Sequence, residues 1–339
     1  MKNWRFWLGL IISGVFIWIA LRQIKDWHLF FASFKEIHYW VILPALIGYF
    51  SILVFRAWRW HYILKSHLEI KFSSSLIALI ICYMANNILP FRAGEVIRAI
   101  VLSRREKKAF SPVFATVVIE RIFDSLIILV FLAVLLFHLT IPSSYKNIAI
   151  ALKKGGIIAL AGAVILIIFL YFLYYARDWV IGISDRFFSV FGKKIHNFVI
   201  QELDKFSQGL IILGNPFRLL VVVGFSFLVW GVNLIPIYYI GVGFGTQISI
   251  IGLLLLLFLG AFSAAIPAAP GFWGTFHYIT ALGINFLGAL PQEKALPFAI
   301  VLHAFYYFPV LIVGLILAWK EGYSLTELER EAEREKTQL

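Results

Sequence analysis

The stretch Asn86-Asn87-Ile88-Leu89-Pro90-Phe91-Arg92-Ala93-Gly94-Glu95-Val96-Ile97-Arg98 decides how this chain meets its solvent. It closes an apolar run over residues 73–90 with two asparagines and a proline, and a new helical pattern opens at Gly94. Pro90 removes a backbone donor and Gly94 permits a sharp turn, so one helix ends and another begins within a few residues. The new start exposes backbone N–H groups that favour an anion. Basic clusters flank the run, with Arg56, Arg59, Lys65 and Lys71 before it and Arg92, Arg98, Arg104, Arg105, Lys107 and Lys108 after it. A full membrane crossing would put one cluster outside, against the positive-inside tendency. A hairpin that enters and leaves on the cytoplasmic side removes the conflict. Irregular backbone at that depth requires burial in protein or a wet cavity.

Composition supplies the membrane. Of 339 residues, 61% are hydrophobic and 14% charged, and the mean hydropathy is +0.89. A soluble core cannot hide that much apolar surface. With about 20 apolar residues per crossing, the spans fill the chain and leave no room for a soluble catalytic domain. The net charge of +12 lies in loops beside apolar runs and not in one basic domain, which points to an anionic leaflet and away from nucleic acid. A single cysteine, Cys82, excludes an intramolecular disulfide and a cysteine-cluster metal site. No metal and no cofactor is expected.

Outward from the opening stretch, residues 6–21 form an apolar run after a basic start and, without a small-residue cleavage site, read as an uncleaved first span. Residues 27–39 read as an interfacial helix and 40–55 as a second span, leaving Arg56, Arg59, Lys65 and Lys71 in an inner loop. A long span covers 114–137, 157–175 returns inward, 177–216 is an amphipathic surface stretch with five Lys/Arg, and 217–242 goes outward. Residues 250–266 are apolar but stop at PAAPGFWG, 267–274, before a helical pattern resumes over 275–290. That suggests a second broken hairpin entering from outside, with two full spans as the alternative. A last span over 295–319 completes one transmembrane domain, 1–319. A tail, 320–339, carries six Glu against four Lys/Arg and reads as a solvated cytoplasmic helix. The expected fold is an all-α polytopic membrane protein of about six full spans plus two broken or re-entrant hairpins. Two breaks from opposite faces fit an inverted repeat with the binding site between them. Both termini are expected in the cytoplasm, and the chain in the plasma (inner) membrane.

Three groups of residues can carry chemistry. In the first break, Glu95 and Arg98 are three apart on one face of the new helix, and Asn86 and Asn87 either satisfy broken backbone or bind a polar head group. The plain alternative is a surface turn with a solvated ion pair. Glu120, Arg121 and Asp124 form the second group, on an otherwise apolar helix. Glu120 and Asp124 share a face and repel unless a cation, a proton or another arginine lies between them. At about 2.5–3.5 kcal/mol for one charge at mid-helix, three such residues must pair inside the bundle. They serve either as an ion network that fixes the helices or as one that also binds substrate or carries protons. The third group is the Pro267, Pro270, Gly271 and Gly274 break, where Gly274 and Thr275 can start a helix toward a cavity. His277 and His303 on apolar segments either relay protons or act as packed hydrogen-bonding groups.

NNILPFRAGEVIRA (86–99), VVIERIFDSLIIL (117–129) and IPAAPGFWGTF (266–276), in that order and spacing, resemble the signatures of a flippase-like membrane family. That family includes the transmembrane region of lysylphosphatidylglycerol synthase, the multiple peptide resistance factor. RAWRW at 56–60 and HAFYYFP at 303–309 are similar to it as well. The resemblance implies a polytopic inner-membrane protein that moves a lipid or lipid-linked head group between leaflets. It implies as site positions Asn87, Pro90, Gly94, Glu95 and Arg98, then Glu120, Arg121 and Asp124, then Pro267, Pro270, Gly271 and Gly274. Some relatives carry arginine near the last span where this chain has His303. No soluble aminoacyl-transferase domain follows Trp319, so the chain is not expected to make lysylphosphatidylglycerol. The expected activity is that of a lipid flippase or scramblase for a phospholipid or polyprenyl-linked phosphate, with Arg92 or Arg98 on the phosphate. The rivals are a membrane-embedded enzyme acting on such a phosphate and a non-transporting partner of a lipid-modifying enzyme, its contact being the tail at 327–336.

Overall fold

Helix boundaries follow local chemistry. The Asp26 carboxylate accepts from the backbone of His28 and Leu29 and starts one helix, Asn215 caps another whose first residue is Pro216, and the Ser249 hydroxyl accepts from Gly252 N to start a third. The computed structural model of the protein describes residues 4–89, 92–138, 146–188 and 193–324 and the tail positions 327, 328, 330, 331 and 334. Pro90 and the rest of the tail lie outside the described residues. In chain order the helices are α1 (Trp4–Arg22), α2 (Trp27–Lys35), α3 (Ile42–Leu64), α4 (Phe72–Ile88), α5 (Gly94–Glu106), α6 (Phe110–His138) and α7 (Lys146–Tyr175). They continue with α8 (Arg177–Phe188), α9 (Lys193–Gly209), α10 (Pro216–Val232), α11 (Leu234–Gly243), α12 (Ile250–Ser263), α13 (Thr275–Phe286) and α14 (Gln292–Lys320). No strand occurs among the described residues.

Among the described residues, three segments are long and apolar enough to cross a membrane: Tyr39–Leu64, Pro216–Gly243 and Gln292–Lys320. The pair Trp7–Arg22 and Trp27–Lys35, bent by 97°, makes a fourth if it counts as one broken span. The first of these corrects the expected boundary at residue 55. Arg56 and Arg59 are not in a loop: helix α3 carries them inward, 8% and 0% exposed, to carboxylates on α6. A basic residue ends a span only when it must reach water, and these two need not.

α14 serves as a ruler for the two breaks. At its Lys320 end, Arg105 of α5 pairs with Glu321, and Lys71 N, just before α4, donates to the Glu106 carboxylate at 3.3 Å. Near its midpoint, Asn87 Nδ2 at the end of α4 donates to Tyr307 O at 3.0 Å. The α4–α5 hairpin therefore runs from the Lys320 end to mid-height and back. The second hairpin comes from the Gln292 end: Phe244 packs on Phe298, and Leu287, after α13, lies near Gly252 of α12. Its break reaches the same level, where His303 lies 2.7 Å from Gly271 O. With 14 and 12 residues, α12 and α13 are roughly 21 and 18 Å long, short of the ~30 Å apolar core. The 250–290 region is thus a pair of short helices and not two full spans.

Gly94 sets the closeness of the first hairpin. A Cβ there would lie 2.1 Å from the Cys82 carbonyl oxygen and 2.6 Å from Asn86 Oδ1. The Gly94 N–H donates to that same Oδ1 at 3.0 Å, so Asn86 closes the start of α5. Gly94→Ala should force α4 and α5 apart at a cost of about 1–3 kcal/mol. A lowered melting midpoint in detergent is the expected result, and an unchanged one would show that the two helices are not packed at this distance.

Candidate functional site

The charges at 120–124 are neutralised by four helices together. Arg59 of α3 lies between the two carboxylates, with Nη2 2.6 Å from Glu120 Oε1 and Nη1 2.7 Å from Asp124 Oδ1. The same Nη1 donates to Ser226 Oγ of α10 at 2.9 Å. Asp124 Oδ1 also accepts from Trp230 Nε1 at 3.0 Å, while Oδ2 takes Arg121 at 2.9 Å and Arg56 at 3.5 Å. Glu120 Oε2 accepts from Arg98 Nη1 of α5 at 2.8 Å, and the Arg98 guanidinium lies over the Trp60 ring at 4.5 Å. Every oxygen of Glu120 and Asp124 is thereby occupied.

Glu95 is held differently. Its two oxygens lie 3.4 Å from Arg121 Nη1 and 3.2 Å from Arg98 Nη2, the latter without hydrogen-bond geometry. Its side chain is 17% exposed and that of Arg121 31%, against 0% for Arg59 and Glu120. The network has a closed base and an open lip. Arg56, Arg59, Arg98 and Arg121 face Glu95, Glu120 and Asp124, an excess of one positive charge.

A cavity of about 370 Å³ lies between the two breaks. Asn86, Leu89 and Arg92 line it from the first and residues 264–272 from the second, with Gly9 of α1 at its edge. Arg92 has a left-handed backbone (φ 50°), and its guanidinium lies 5.7 Å from the ring of Phe272, which is also left-handed (φ 60°). Non-glycine residues with positive φ are uncommon and gather at functional sites. Arg92 makes no direct salt bridge among the described residues, and Glu95 is the carboxylate that acts on it from farther away.

Two histidines lock the far wall. Gly274 N–H donates to His277 Nδ1 at 3.2 Å, His277 Nε2 lies 3.1 Å from His303 Nδ1, and His303 Nε2 lies 2.7 Å from Gly271 O. Trp273 packs on both imidazoles, and Phe276 stacks on His303. Gly271 turns at φ 71°, and a Cβ there would come within 2.5 Å of Tyr307 and 3.0 Å of Asn87 O. The loop therefore fits directly against the end of the first hairpin. Ala269 N donates to Ser13 Oγ at 2.8 Å, which anchors α1 on the same loop.

The family model for the lysylphosphatidylglycerol synthase TM region matches residues 6–314. The chain belongs to that family. A UPF0104 membrane protein of Methanothermobacter thermautotrophicus is 26% identical over 269 residues, 75% of this chain and 78% of the relative. Another, from Pyrococcus horikoshii, is 25% identical over 293 residues, covering 82% and 86%. A phosphatidylglycerol lysyltransferase of Staphylococcus aureus is 29% identical over 89 residues, 26% of this chain but 10% of that protein. No solved structure matches. Like its UPF0104 relatives, this family member is a multi-pass membrane protein.

Of the residues that the sequence singles out, Asn86, Arg92, Pro267, Pro270 and Gly271 line the cavity. Glu95, Arg98, Glu120, Arg121 and Asp124 meet in the network. Asn87 bonds to Tyr307, the N–H groups of Gly94 and Gly274 are taken by Asn86 and His277, and the Thr275 hydroxyl donates to Phe272 O at 3.1 Å. The two helix starts are thus partly closed from within. Sequence reading missed Arg56 and Arg59 as members, together with Ser226 and Trp230. Arg56, Arg59 and Trp60 are spaced on one helix face, which was the available signal; Ser226 and Trp230 offered only an i, i+4 polar and aromatic pair on an apolar helix.

The base and lip should answer differently to substitution. Glu120→Gln leaves Arg59 and Arg98 buried with too little negative charge and should cost about 3–5 kcal/mol. Glu95→Gln, at the open lip, should leave the melting midpoint near that of the wild type. Equal loss of stability in both variants, measured by unfolding in detergent, would remove the distinction.

Proposed function

We propose that this protein is a lipid flippase or scramblase, which carries a phospholipid or lipid-linked phosphate head group between leaflets through the cavity between the two breaks. The observation that carries the reading is Arg92, a cation that makes no direct salt bridge among the described residues, on a cavity at the mid-height of α14. A charge at that depth with no ion pair of its own is expensive and marks a substrate path. A head-group phosphate supplies the direct partner that Arg92 lacks, and the arginine excess of the neighbouring network favours the same sign. Of the two arginines expected to hold the phosphate, Arg98 is taken by Glu120 and Glu95, which leaves Arg92. Glu95 and Arg121 at the lip are the members free to exchange partners. Glu95 is accordingly our choice for a basic head group or a coupling proton, and His277 and His303 remain candidates for a relay.

In this reading α1 with α2, α3, α6, α7, α10 with α11, and α14 are six crossings. The α4–α5 and α12–α13 hairpins enter from opposite faces as halves of an inverted repeat. Both termini lie in the cytoplasm and the protein in the plasma membrane. Substrate sites at the midplane between discontinuous helices are the pattern of repeat-built transporters. Movement is downhill or coupled to an ion gradient. A second reading, as a non-transporting partner of a lipid-modifying enzyme, draws on the short match to a phosphatidylglycerol lysyltransferase.

Reconstitution in liposomes tests the first against the second. Fluorescent phospholipids and polyprenyl phosphates exposed to an impermeant quencher should become accessible from both leaflets when the protein is present. Arg92→Gln and Glu95→Gln should slow this about tenfold or more, the effect of roughly 1.4 kcal/mol lost at the rate-limiting state. No movement of any head group by folded protein with ion gradients supplied sinks the proposal. Copurification of a lipid-modifying enzyme would then favour the second reading.

A further inference from the structure

A separate cavity, also about 370 Å³, opens at the Lys320 end of the molecule. Arg104 of α5, Lys108, and Arg334 of the tail converge there on one tail carboxylate, Glu331, beside the apolar Ile100 and Phe110. Arg104 pairs with Glu331 and, at 3.1 Å, with Glu327. Lys108 and Arg334 have no carboxylate partner among the described residues. Among the described residues, three cations thus meet two carboxylates here, Glu331 in the pocket lining and Glu327 on Arg104. The turn that builds the pocket is unusual: Lys107 adopts a left-handed backbone (φ 51°) and Lys108 N donates back to Ser103 O at 2.9 Å, which returns Lys108 to the side of Arg104.

The height of the pocket indicates its occupant. Arg105, next in sequence to Arg104, pairs with Glu321, one residue past the end of the 29-residue apolar helix α14. At the end of such a helix the surroundings are lipid head groups. Cations beside a hydrophobic wall suit an amphiphile, a phosphate continuous with an acyl chain, better than a free ion. The carboxylates now on Arg104 are exposed or half-exposed, and ion pairs of that kind are held weakly. We infer that this pocket binds the phosphate of an anionic phospholipid from the surrounding leaflet, and that Glu331 is the internal carboxylate that the lipid displaces. The tail is then a competitor built into the chain. Because α5 also carries Glu95 and Arg98, exchange at its last turn acts on the helix that holds the lip of the membrane-depth network.

The full chain in nanodiscs of neutral phosphatidylcholine, with rising fractions of phosphatidylglycerol, tests this by native mass spectrometry of retained lipid. Lys108→Ala should weaken phosphatidylglycerol retention roughly fivefold, the effect of one basic group near a charged lipid. Arg104→Ala should do the same, and Glu331→Gln should strengthen retention by a similar factor. Lys294→Ala, at the Gln292 end of α14 where it pairs with Glu36, should retain the lipid as wild type does, and because the readout is retained lipid and not movement between leaflets, this result stands apart from any flipping assay. Unchanged retention in Lys108→Ala, a half-buried position with no carboxylate partner among the described residues, overturns the assignment. So does displacement of the lipid by inorganic phosphate at matched concentration, which would make the pocket a site for a free anion.

Discussion

Two carboxylates one helical turn apart cannot stay ionised at membrane depth without a cation between them, and Arg59 is that cation. The rest of the architecture follows from this contact. Arg59 fastens α3 to α6 and, through Ser226, to α10; Glu120 passes the connection to α5 through Arg98. Each partner has little access to water, so each ion is tolerable only while its neighbours stay in place. Four helices are held in register by one polar junction, and the apolar clusters around it fill the remaining volume.

This junction also explains where function is free to operate. Glu120 and Asp124 have no oxygen left to offer, so they serve as foundation. Glu95 and Arg121 sit where the network opens, and Arg92 lies beyond it on the cavity wall. Asn86 joins the two regions, since it lines the cavity and also caps the helix that bears Glu95. A ligand that pulls on Arg92 or Asn86 therefore pulls on a helix whose other face is tied to the buried base.

Much of this was legible from residue patterns. Both breaks were, because proline and glycine interrupt apolar runs in a way that no continuous helix tolerates. The need for a partner between Glu120 and Asp124 was also legible, since their spacing alone creates the repulsion. The partner's identity was not: Arg59 lies 61 residues away in sequence and follows an apolar run, so it looked like the basic flank of a span. For the same reason the second span was ended too early. A charged residue marks a boundary only if no countercharge is waiting inside, and that depends on helices packed from elsewhere in the chain. The asparagines and helix starts at the breaks were identified as polar, but their mutual satisfaction, Asn86 with Gly94 and His277 with Gly274, emerges only when the loops close.

A hydrogen-bond chain that begins on an amide N–H and ends on a carbonyl has a direction. Between Gly274 and Gly271 that direction requires each imidazole to present a lone pair at Nδ1 and a proton at Nε2. Exchanging the tautomer of His277 alone would set N–H against N–H at Gly274 and lone pair against lone pair at His303. The histidine pair is therefore a keyed fastening, with one permitted order of proton and lone pair along its length. At 277 and 303 a polar side chain of similar size does not suffice; it must also read in the right order.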